Sequence, residues 1–115
     1  MGYTTDFRGI LKFDKKLTDK QVKEYREFQD MRHEDGYKEK PSIWLQWEIL
    51  EYDGEFTLGH DGGEKFYNYV EWLDYVIEHF FKKWGVVVNG TIQWRGEEWD
   101  DMGTMVVRDN KLTTI

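Results

Sequence analysis

A chain of 115 residues fits one domain, and a domain of this size buries about two-thirds of the surface that its unfolded form exposes. Aromatic residues make up 17% of the chain and hydrophobic residues 39%, so the core must rest on a few large side chains. Cysteine is absent, which excludes disulfides, thiolate metal sites and cysteine nucleophiles, and the net charge of -7 disfavours nucleic-acid binding through a broad basic surface.

In chain order, Tyr3, Thr5, Phe7, Leu11 and Phe13 share one parity while Asp6, Arg8 and Lys12 share the other, the period of a half-buried strand. Gly9 falls on the apolar parity, where another element is expected to approach closely. The same alternation lacks the continuous apolar segment of a signal peptide, and no stretch reaches the roughly twenty apolar residues that span a bilayer. A cytoplasmic protein is expected. Thr18 and Gln21 form a capping box that opens a helix from Asp19 to about His33, with a thin apolar stripe of Val22, Tyr25, Phe28 and Met31.

A polar loop, "HEDGYKEKP", leads to the strand "SIWLQWEILEY", and Asp53-Gly54 signals a hairpin into a second strand, "EFTLGH". The segment "DGGEKFYNYVEWLDYVIEHFFKKWG" predicts a long helix from Asp61 to Gly85. Asp61 is the expected N-cap, Glu64 completes the box, and Gly85 takes the left-handed cap. Two or three β-runs follow, in which Asn89-Gly90 marks either a tight hairpin or a bulge in one longer strand. The order β-α-β-β-α-β-β predicts a single α+β domain over residues 1–115. Its form is a mainly antiparallel sheet with two helices on one face, ferredoxin-like (split βαβ) or related.

On the predicted helix, Phe66, Leu73, Val76, Phe80 and their neighbours form a core arc, and Glu78–Lys82 is an i,i+4 ion pair on a solvated face. Asn68, Trp72, Tyr75 and His79 fall at i, i+4, i+7 and i+11, a stripe roughly opposite the core. It is covered by the first helix, the C-terminal hairpin or a dimer mate, or else it is a ligand or partner surface. "GEEWDD" places Glu97, Glu98, Asp100 and Asp101 on a hairpin tip, an acidic partner surface without the ordered oxygen spacing of a calcium loop. His33, His60 and His79 lack metal-ligand spacing, so no metal or cofactor is expected.

The stretches "MGYTTDF", "GGEKFYNYVEWLDYVIEHFFKKWG", "NGTIQWRGEEWDDMG" and "VVRDN" resemble a family of small proteins of bacterial and phage genomes. That family has no established activity. Its members carry a longer segment before the "W-x-Q-W" strand than "HEDGYKEKPSIWLQW". The resemblance implies relatives and no mechanism. The expected function is that of a small acidic binding protein acting on a protein or small ligand, without membrane or direct nucleic-acid contact and with homodimerisation open. The alternatives are an acidic, DNA-mimic-like inhibitor of a nucleic-acid-binding protein and a small enzyme with His79 as general base.

Overall fold

A computed structural model describes residues 4–33, 41–42, 44–63 and 66–115. Its elements are β1 (Asp6–Arg8), β2 (Leu11–Phe13), α1 (Asp19–Gln29), β3 (Trp47–Tyr52), β4 (Glu55–His60), α2 (Tyr69–Val76), β5 (Val88–Arg95), β6 (Met102–Arg108) and β7 (Lys111–Thr114). The strands make one antiparallel sheet in the order β3-β4-β2-β5-β6-β7, with β1 also paired to β5. The α+β class and the mainly antiparallel sheet agree with the sequence. Among the described residues, no helix is long and apolar enough to cross a membrane.

β1 and β2 are one predicted strand interrupted at Gly9 and Ile10, and both segments keep a single register against β5. Gly9 is where the neighbouring strand comes closest. A Cβ there would stand 2.4 Å from the Thr91 carbonyl oxygen, and one on Gly90 would stand 2.7 Å from the Ile10 oxygen. Asn89-Gly90 therefore lies inside β5 rather than in a hairpin turn, and its glycine admits the kinked partner strand.

Side chains alternate across the sheet, so one face is apolar and the other mostly polar. Ile49, Leu58, Leu11, Gly90, Val107 and Leu112 align across six strands on the inner face. Val22 and Tyr25 of α1 join Leu73 and Val76 of α2 in the same buried core as these strand residues, which puts both helices on the inner face. The α1 cap forms as expected, with Gln21 N–H donating to Thr18 Oγ1 and Thr18 N–H to Gln21 Oε1. The helix then stops at Gln29, short of His33.

The predicted long helix is corrected at its start. Asp61 does not cap it: its carboxylate accepts from Gly63 N–H at 2.7 Å in a local turn, and Glu64 lies outside the described residues. The chain reaches Phe66, which is buried against Phe7, Trp47 and His60, and turns at Asn68 with φ +55° before α2 begins at Tyr69. The bulky ring and the left-handed residue together delay helical geometry by two turns. After Val76 the helix widens into a π-turn, Ile77–Phe81, with Lys82 N–H bonded to the Ile77 carbonyl. It ends as expected at Gly85 (φ +71°), where Gly85 N–H bonds to Lys82 O and Val86 N–H to Phe81 O, the two bonds of a Schellman cap. The Glu78–Lys82 pair forms at 3.4 Å.

Two type I′ geometries close the hairpins. Asp53-Gly54 joins β3 to β4 as the sequence signalled, and Asp109-Asn110, both at positive φ, joins β6 to β7. Asn110 also ties that turn to β5, donating to Val86 O and accepting from Val88 N–H.

Candidate functional site

The predicted outward stripe divides on folding. Trp72 is fully buried: its indole N–H donates to Ser42 Oγ at 2.7 Å, and its ring meets Phe28, His33 and Tyr75. For Trp72 the structure favours cover by the first helix over an outward partner surface, because Phe28 of α1 and His33 lie over this side of α2. Tyr75 is half-buried and stacks on Phe28 and on His79, whose ring centroid lies 4.0 Å away. His79 and Asn68 remain exposed. His79 Nδ1 donates to the Tyr75 carbonyl, and Asn68 Nδ2 donates to the Pro41 carbonyl.

The three histidines occupy separate environments. His33 Nε2 donates to the Phe28 carbonyl beside Trp72, while His79 stays on the surface with Tyr75. His60 sits among Phe7, Trp47 and Phe66, donates from Nε2 to Gln46 Oε1 at 2.9 Å, and accepts from Gly62 N–H at Nδ1. Burial lowers its pKa from 6.5, against opposing pulls from Asp61 and Asp6. The ring is therefore held neutral with both nitrogens bonded, an arrangement that binds a turn rather than one that exchanges protons. Nearby, burial and then Asp61 raise the Glu48 pKa, partly offset by Arg26. Among the described residues no group of three or more His, Cys, Asp or Glu is placed to hold a metal ion.

The acidic tip between β5 and β6 is built more firmly than its composition suggests. Gly96 N–H bonds to Asp101 O and Asp101 N–H to Glu98 O, the Asp101 carboxylate accepts from the Trp94 indole, and the Glu97 carboxylate accepts from Thr4 N–H. These bonds fix the turn and hold up Trp99, which is 82% exposed. Trp99 is the residue that sequence reasoning missed. In "GEEWDD" charge dominates the pattern, and the signal for Trp99 is a tryptophan between two acidic pairs with no alternating apolar partner.

The same end of the domain carries most of the other exposed large apolar side chains. β3 begins there and β4 ends there, as the Trp47–His60 pairing shows; β5 ends and β6 begins there at Arg95–Met102. Trp44 precedes β3, Tyr67 precedes α2, and Met31 follows α1, all exposed. Compared with family models, with curated proteins and with solved structures, the chain matches none.

Proposed function

We propose that the protein is a non-enzymatic binding protein that recognises a protein partner through the β5–β6 tip, with Trp99 as anchor and Glu97, Glu98, Asp100 and Asp101 selecting a basic surface. One observation carries this reading: a tryptophan 82% exposed on a turn held by four hydrogen bonds. Water-exposed tryptophan is costly, and a rigid turn loses little entropy on docking, so burying Trp99 supplies affinity while the carboxylates steer approach. The Tyr75–His79 pair, with Asn68, stays a secondary surface on α2, with Trp72 supporting it from inside. A role as a DNA-like acidic decoy draws less support, because sixteen basic residues are interspersed among the twenty-three acidic ones.

We also infer that the split βαβ arrangement underlies the fold. The order β3-β4-β2-β5, in which α1 and α2 each connect strands separated by one other strand, supports it, with the β6–β7 hairpin added at one edge. The cysteine-free composition supports a cytoplasmic setting.

Affinity capture from native lysate tests the binding reading. A partner held by the wild-type chain should be lost with Trp99→Ala and weakened by salt, whereas full retention by Trp99→Ala and by the Glu98→Lys/Asp100→Lys chain overturns it.

A further inference from the structure

Among the described residues no helix lies over the outer face of the sheet, and over β1, β2 and β5 to β7 its charge runs against that of the whole chain. On β1, β2 and β5 to β7 the outward side chains include Arg8, Lys12, Arg95, Arg108 and Lys111 against the single acid Asp6, in a protein of net charge -7. The remaining outward positions in the middle are small or neutral, among them Thr91, Gln93, Thr104 and Thr113. Where this face meets the β5–β6 end, a groove of about 340 Å³ opens over Arg8, Gln93, Arg95, Met102 and Thr104, with Asp6 and the Trp94 and Gly103 edge completing it. The register places Asp6 opposite Arg95 and Arg8 opposite the neutral Gln93, so Asp6 offsets one cation and leaves Arg8 without a facing acid on β5. Met102, 52% exposed, pairs with Arg95 and gives the groove an apolar margin.

We propose that the chain forms a two-fold symmetric dimer in which Trp99 of each copy docks in this groove of the other. The proposal rests on the reading of the tip as a recognition element and names its partner. Tip and groove lie at one end of the same β5–β6 hairpin, so a two-fold axis beside that end brings each tip to the other copy's groove. That is the self-complementary patch an isologous interface requires. The charges match across it, carboxylates flanking Trp99 against Arg8 and Arg95, and the indole meets Met102. A long polyanion fits this face poorly. Beyond a Debye length of about 8 Å it would meet the acidic remainder of the molecule, and the central outward positions offer no aromatic ring for a base to stack on.

Sedimentation equilibrium of the full chain at low ionic strength and high micromolar concentration tests the dimer. Wild type should dimerise, with the dissociation constant rising at least about tenfold between 0.1 M and 1 M salt as the charge contacts are screened. Trp99→Ala should be monomeric, and so should both Arg8→Glu/Arg95→Glu and Glu98→Lys/Asp100→Lys. Mixing these two charge-reversed chains should restore a heterodimer, since both halves of the interface then regain opposite charges. A monomeric wild type, a dimer that survives Trp99→Ala, or a mixture that stays monomeric overturns the proposal. If wild type is monomeric while its tip still captures a basic protein, the dimer fails and the tip reading stands. If tip variants alter neither association nor capture, both fail.

Discussion

His60 is neutral in the folded chain because its ring lies among Phe7, Trp47 and Phe66 with both nitrogens already bonded. Its folded pKa lies below the unfolded value of 6.5, since burial outweighs the pull of Asp61 and Asp6. In the window between the two values the unfolded chain binds the extra proton. The stability contributed by the neutral ring is thus complete above the unfolded pKa and is lost as pH falls through it toward the folded one. Thermal melts between pH 7.5 and 5.5 should show a falling Tm, with a shallower fall in His60→Gln; identical slopes for the two chains would exclude His60 as the cause. Gly9 and Gly90 act at the same scale. Alanine at either meets a facing carbonyl oxygen in a backbone conformation that L residues rarely adopt, so each substitution should cost about 2–4 kcal/mol in urea unfolding. Gly54, at φ +81° with open space around it, should cost about 1 kcal/mol, and equal losses at all three would show that backbone conformation rather than strand contact sets the cost.

At the scale of elements, two tryptophans 27 positions apart carry opposite roles. Trp72 on α2 is enclosed by Phe28, His33 and Tyr75, whereas Trp99 stands in solvent on the β5–β6 turn. Trp72→Ala should lower stability by about 3–5 kcal/mol, as for other buried aromatics, while Trp99→Ala should stay within about 0.5 kcal/mol of wild type. Denaturant midpoints decide between them, and a large loss from Trp99→Ala would make that residue structural. Periodicity made the strands and the core arc of α2 legible, because alternation and the 3.6-residue repeat record which face is buried. It could not tell that Trp72 lies inside. A helical wheel gives directions around one axis, and whether the second side of α2 faces water or α1 depends on where α1 crosses, which Phe28 settles only in three dimensions. The helix start departs from its sequence pattern for a related reason. "DGGE" has capping chemistry, but Phe66 gains more by reaching the Phe7–Trp47–His60 cluster than the segment gains from two helical turns. β7 was similarly open, since Asp109-Asn110 lacks the glycine that marked the β3–β4 turn and takes positive φ at both positions without it.

Across the whole molecule, the sheet order ranks the strands by how much must be undone to expose them. β5 is paired on both sides, to β1 and β2 on one and to β6 on the other, and Val88 and Ile92 are fully buried. β3 lies at an edge, yet that edge is covered by α1: Tyr25 donates its hydroxyl to the Trp47 carbonyl at 2.6 Å, and Arg26 donates to the Ile49 carbonyl at 3.1 Å. Burial, then Glu48 and Asp61, raise the Tyr25 pKa well above its usual value, which keeps this hydroxyl a donor through any ordinary buffer range. β7 is the other edge, four residues long and mostly exposed, held by its pairing with β6 and by the packing of Leu112. Native-state hydrogen exchange follows local opening, and opening is easiest where few buried contacts must break. The amides of β5 should therefore exchange slowest, those of β3 next, and those of β7 fastest among the strands. Replacing Tyr25 with Phe removes the edge bond and little volume, so it should speed exchange in β3 selectively while β5 keeps its protection. Uniform acceleration across all strands would mean instead that β3 opens only with the whole domain.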